Sequence, residues 1–357
     1  GQCPDSHSVP GGPIGLLAAI RDSRCGSMVL SGHALRCETM KPKSLSGIGA
    51  VFVPAVSAST NEERYGPVEP EPAEFVDVHP TPSLEERNYI IVAIESSNLS
   101  EDEKDALLID LEQIWSSDLS GPERNIILSQ LAPIVFSYYN IDSNSNPTPS
   151  WSGYVRYYSD VGTHNLLAEI AGQNMGLSSW KCRILNEQSA VPDDWGLLQM
   201  PTHYSWGGAG SKAKDYANQA KVLLSEDPED PEGYEKLSWA MHFMSDVANP
   251  WHTQQLWAQG NHVTYEQDYV LDEMVDGHNF KQVLVDSPSY WWYRVTDPEA
   301  SASNLAALSS GYFYYVDDKI NHDSDWKNDS TVVEYTKDVL EEALHYNMGL
   351  VKYVGAY

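Results

Sequence analysis

The chain has 357 residues, enough for two or three domains, and its 41% hydrophobic content is enough to fill a sizeable core. A formal charge of −29 repels phosphate backbones and anionic lipid surfaces, so a polyanion has to be met through metal ions and not through a basic face. No run of about eighteen apolar residues occurs, which argues against a membrane-spanning helix.

Cys3, Cys25 and Cys37 lie in the opening stretch and only Cys182 in the remainder, so no disulfide framework holds the main body. Up to Thr39 the sequence is rich in Gly, Pro, Ser and Cys and has no sustained periodicity. Met40, Lys41 and Lys43 are followed by an apolar run from Leu45 to Val56 and a small-residue site at Val56-Ser57-Ala58, the layout of a secretory signal peptide. Gly47, Gly49 and Pro54 interrupt that run, and a short buried strand is the competing reading. Residues 1–58 are therefore expected to be a leader with a signal peptide at 40–58, and the protein is expected to be secreted.

From Ser59 to Pro82 the chain is acidic and proline-rich, a composition that cannot bury enough surface to fold alone. Ser83 with Glu86, and Ser100 with Glu103, have capping-box spacing ahead of two helical patterns, and a third pattern follows Gly121-Pro122. None of these helices carries His or Cys, so residues 59–150 read as a prosegment or accessory region used for packing or masking. Asp142 to Ser150 has the composition of a linker open to proteases, and the main domain boundary is placed at its end. In the zymogen that this layout suggests, cleavage there exposes Trp151.

The chemistry is concentrated in the third region, 151–357. His242 and Asp246 are four apart in a segment whose Leu237, Ala240, Met241, Phe243, Met244 and Val247 predict a buried helix, so both polar side chains leave one face. His262 and Glu266 repeat the spacing, and Pro250 breaks the helix so that His252 turns back toward the second pair. Ionisable groups on a buried face need a compensating charge, and imidazole with carboxylate but no thiolate suits zinc. Upstream, His164 opens an amphipathic helix, while Pro192-Asp193-Asp194-Trp195 and Pro201-Thr202-His203-Tyr204 lie in turn-rich sequence before a helix at Ala213–Leu224. Trp291-Trp292-Tyr293 and Tyr312-Phe313-Tyr314-Tyr315 read as core aromatics at helical spacing, with a membrane-interface belt as the alternative. Val332 to Tyr353 predicts a closing amphipathic helix.

The order Trp151, His164, Asp193, His203, His242-x-x-x-Asp246, His252, His262-x-x-x-Glu266 resembles the bacterial zinc-dependent phospholipases C, the family of the clostridial alpha-toxin catalytic domain, over most of 151–357. That resemblance implies an all-α fold and three zinc ions. Asp193, His203, His242 and Asp246 would hold one, and Asp246 would bridge to a second held by His164 and by the free amino and carbonyl groups of Trp151. His252, His262 and Glu266 would hold the third. It further implies a catalytic role for Asp193 on the attacking water and a phospholipid substrate at a membrane or micelle surface; the charge argues against a nucleic-acid partner, and a monomer is expected. Tyr154, Asp194 and Met200 occupy the family's choline-cage positions, so the cage would have to be rebuilt from Trp195, Tyr204, Trp206 or Trp257. The rivals are the related fungal single-strand nucleases, which usually end the last pair in Asp, and a metal-stabilised binding protein without activity.

Overall fold

The computed structural model describes residues 66–73, 82–116, 119, 121–138, 162–195, 199–256 and 260–356. The leader at 1–58, the linker to Ser150 with the boundary at its end, Trp151 and Trp257 lie outside these residues. The architecture is all-α, with eleven helices and one two-stranded parallel pair among the described residues.

Helices α1 (Leu84–Ser96) and α2 (Glu101–Trp115) begin as their capping boxes dictate. Ser83 and Ser100 accept from the backbone N–H three residues on, and Glu86 and Glu103 accept from the serines' own N–H groups. Helix α3 (Gly121–Tyr138) follows, with Pro133 removing one rung of its hydrogen bonding. The three close around Ile90, Ile94, Leu111, Leu128, Leu131 and Phe136, but they do not complete this core themselves. Met200, Tyr204, Trp206 and Leu256 finish it.

The larger bundle contains α4 (Thr163–Asn174), α5 (Ser179–Ser189), α6 (Ala209–Glu226) and α7 (Pro231–Asp246). It continues with α8 (His262–Tyr265), α9 (Phe280–Asp286), α10 (Pro298–His322) and α11 (Ser330–Val354). Helix α7 is its axis and packs on α5, α6 and α11. Asp230 caps it with Pro231 in the first position, and from Leu237 onward nearly every side chain is buried, polar ones included. Burial of each large apolar side chain contributes ~1.5–3 kcal/mol, which holds the helix in place while its far end carries ionisable groups. Asp329 caps α11 by accepting from Thr331 and Val332, and Gly355 in the left-handed region ends it.

Strand β1 (Gly66–Val68) pairs in parallel with β2 (Trp291–Tyr293), Pro67 opposite Trp292. The proline-rich stretch thus gains a partner from a chain segment more than two hundred residues away. This corrects the helical reading of Trp291-Trp292-Tyr293, which is a half-buried strand whose first ring stacks on His345 at 3.5 Å between centroids. Gly349 in α11 makes room for it, since a Cβ there would overlap the Tyr293 carbonyl oxygen. In α10, Tyr312 and Phe313 are core as expected, whereas Tyr314 is 66% exposed. No helix among the described residues is long and apolar enough to cross a membrane.

Candidate metal centre

The last turn of α7 carries His242 and Asp246, both buried, where the helix meets Pro250. Asn249 caps the next turn, Pro250–Thr253, by accepting from the Trp251 N–H at 3.0 Å, and that turn brings His252 back beneath Asp246. His164 sits in the first turn of α4, while Asp193 and His203 come from short tight turns at Val191–Trp195 and Met200–His203. His262 and Glu266 lie one turn apart where α8 widens into a π turn at Glu266–Leu271. Such a widened turn is a frequent mark of functional positions.

Of the nine expected ligands, the structure brings eight into one buried cluster, and Trp151 lies outside the described residues. In the first donor group His203 Nδ1 lies 2.9 Å from Asp246 Oδ2 and 3.0 Å from His242 Nε2, and His242 Nε2 lies 3.2 Å from Asp246 Oδ2. Asp193 Oδ1 adds the fourth corner, 3.6 Å from His203 Nδ1 and 3.5 Å from His242 Nε2. Tetrahedral zinc with bonds of about 2.0–2.1 Å separates its ligand atoms by about 3.3 Å, the spacing this group already has. The second oxygen of Asp246, Oδ1, lies 3.2 Å from His164 Nε2 and 3.6 Å from His252 Nδ1, and His164 also approaches Asp193 and His242 closely enough to share an ion with them. A third group is the triangle of His252 Nε2, His262 Nε2 and Glu266 Oε1, with sides of 3.0, 2.8 and 3.1 Å. Glu266 Oε2 is buried there without a hydrogen-bond partner. Carboxylate oxygens and ring nitrogens crowded this closely, with a buried orphan beside them, fit a cation better than a hydrogen-bond network.

The protonation states suit the same role. Burial alone raises the Asp246 carboxyl, yet the facing rings of His242 and His203 reverse this and hold it well below the usual carboxylate range. Burial likewise opposes ionisation of Glu266, and His262 and His252 outweigh it, lowering the group to about 2. Burial lowers His242 and His262, favouring neutral imidazole. His252 differs, because the Glu266 hydrogen bond overcomes burial and raises it. Ionised carboxylate and neutral imidazole are the forms that bind metal.

Several supporting groups were not readable from the sequence. His242 Nδ1 donates to the Ser189 carbonyl at 2.7 Å, which fixes the tautomer and leaves Nε2 with its lone pair toward the cluster. Asn249 Nδ2 donates to Glu266 Oε1 while its oxygen caps the turn, so one amide ties the two ligand segments together. The Asn-Pro step before His252 was the available signal for it, since Asn is a preferred cap. Of the aromatics expected around the cluster, Tyr204 and Trp206 are buried against α3 and cannot receive a ligand. Trp195 remains half-buried beside Asp193, packed with Tyr216, Trp239 and Phe243 at 5.1–5.9 Å between centroids. Among the described residues, His278, His322 and His345 lie in none of the candidate metal groups.

No family model, no curated protein and no solved structure matches the chain. The buried His/Asp/Glu groups are what the fold establishes, and they are compatible with a metalloenzyme.

Proposed function

We propose that the chain is a secreted zinc-dependent phosphoric ester hydrolase of the phospholipase C type. The observation that carries the reading is Asp246, whose two oxygens meet different histidines from the end of one buried helix, Oδ1 facing His164 and Oδ2 facing His203 and His242. Asp193, His203, His242 and Asp246 would hold one ion, His164 with Asp246 a second, and His252, His262 and Glu266 a third. Zinc at such positions supplies Lewis acidity toward a phosphoryl oxygen and brings the pKa of water toward neutrality. Asp193 sits at the rim of its group, 8% exposed against 1% for Asp246, and is the carboxylate placed to orient a water and take its proton. Asp246 and Glu266, closed in by histidines, serve to hold charge and position.

Charge favours a zwitterionic lipid over a nucleic acid. At −29 the protein gains no long-range steering of a polyanion, whereas phosphatidylcholine or phosphatidylethanolamine meets no such repulsion. The partly exposed Trp195 face beside Asp193 offers an apolar contact for the substrate. With Tyr204 and Trp206 committed to the core, discrimination between headgroups should be weak.

The test is a metal analysis paired with the ratio of kcat/KM for phosphatidylcholine and single-stranded DNA at equal zinc and salt. Release of diacylglycerol as the faster reaction supports the phospholipase C reading. Preference for DNA moves the chain to the nuclease class, and tight zinc without either activity makes it a metal-stabilised binding protein.

A further inference from the structure

The three-helix unit at 84–138 reads from sequence as a prosegment that cleavage could release. Its packing says otherwise. The face that α3 turns away from α1 and α2 lies on the Met200–His203 turn and on the Ser205–Gly207 turn that follows it, and the contact is apolar and buried. Phe136 stacks on Tyr204 at 5.9 Å between centroids, and Tyr204 in turn lies against His252 at 4.8 Å and His262 at 6.2 Å. Trp206 stacks on the same tyrosine at 5.1 Å and donates its indole N–H to the Gln254 carbonyl at 2.8 Å, tying the segment after His203 to the residue that ends the His252 turn. Tyr204 has little freedom to move. Its carbonyl accepts from Gly207, Gly208 and Ala209 at 3.0–3.2 Å, and a Cβ at Gly207 would overlap the Pro201 carbonyl.

We infer that α3 is a permanent wall of the metal centre, in which Phe136 acts through Tyr204 to position His252 and His262. A chain cut in the linker therefore keeps its helical unit as a second, non-covalently held piece. Release would uncover Met200, Tyr204, Trp206 and Leu256 together, an apolar patch that water penalises. Phe136 and Tyr204 are positioning residues and need touch no substrate. The inference rests on the metalloenzyme reading, because what is positioned is a set of metal ligands.

A specific protease site inserted between Ser145 and Asn146 of the full chain tests the first part. After cutting, the two pieces should co-elute in size exclusion without denaturant and bind zinc as the intact chain does. Separation into pieces, with 146–357 keeping intact-chain zinc affinity, overturns the inference. Zinc titration of intact variants tests the second part. Phe136→Ala and Tyr204→Ala should weaken zinc binding by about tenfold or more, the range seen when groups that orient metal ligands are lost. Tyr204→Phe, which keeps the ring, should retain wild-type affinity, as should Ile109→Ala on the exposed side of the same unit. Wild-type affinity in Phe136→Ala and Tyr204→Ala overturns the inference alone. A wild-type chain that binds no zinc overturns the metalloenzyme reading and this inference with it.

Discussion

Helices α7 and α11 pack against each other, and each carries a buried histidine and an aspartate, yet only one carries a metal-ligand cluster. In α7 the pair is four residues apart and the side chains meet, His242 Nε2 lying 3.2 Å from Asp246 Oδ2. In α11, Asp338 and His345 are seven apart and face different neighbours. His345 stacks on Trp291 and its Nε2 donates to the Pro288 carbonyl at 3.1 Å; burial outweighs that hydrogen bond and lowers it to about 4, so it stays neutral. Asp338 is raised to about 6 by burial and by the charge of Glu334, with only Tyr312 donating to it at 3.4 Å. Burial of an ionisable residue is therefore a weak sign of chemistry. What separates the two helices is whether the acid and the base share a space with further donors.

The contrast breaks most directly at Asp246. Asp246→Asn should lower hydrolysis by more than about 100-fold and reduce bound zinc, a larger loss than any single histidine substitution gives. Full activity in this variant would remove the bridging role. Chelation comes next. Stripping the protein should lower its melting temperature, because ions bound at 100 times their Kd stabilise a fold by about 2.7 kcal/mol and the vacated donors repel one another. Differential scanning with and without chelator reads the shift, and an unchanged midpoint would show that the cluster is satisfied without metal.

On α11 the effects should be smaller and independent of metal. A histidine lowered from 6.5 to about 4 leaves the unfolded chain with more protons between those values. Its contribution is therefore complete above pH 6.5 and falls as the pH drops toward 4, by up to about 3 kcal/mol. Urea unfolding of wild type and His345→Gln across that window should show the wild-type advantage shrinking on acidification, with zinc content equal in both. The smallest effect is expected at Asp338. A carboxyl raised from 3.8 to about 6 favours the fold below 3.8, and that contribution is lost as the pH rises through 6. Asp338→Asn should then be more stable than wild type at pH 7, on the order of 1 kcal/mol after solvent screening, and level with it near pH 3.5. Equal stability at both pH values would mean that solvent reaches the carboxylate freely.

The parts of this molecule that sequence reveals are those governed by local rules. Ser83 with Glu86 and Ser100 with Glu103 mark helix starts because the cap needs only three residues, and His242 with Asp246 share a face because helical pitch places them there. Pro250 forecasts the turn at His252 for the same reason. Asp193 and His203 emerge from turns whose composition is uninformative, and only the likeness of ligand order to the phospholipases singled them out. What stayed hidden depends on distant partners. Nothing near Tyr204 or Trp206 shows that α3 covers them, and nothing near Trp291 shows that Gly66–Val68 will pair with it. The Ser189 carbonyl is equally silent, since every residue has one.

That carbonyl sets a proton balance for the whole centre. Because it takes the Nδ1 hydrogen of His242, this ring offers a bare Nε2 and releases nothing when a cation arrives. His252 holds its proton more firmly and must surrender it first. A cation at His252 therefore has to displace a proton, whereas one at His242 Nε2 does not. On acidification His252 should therefore take back a proton before His242 does.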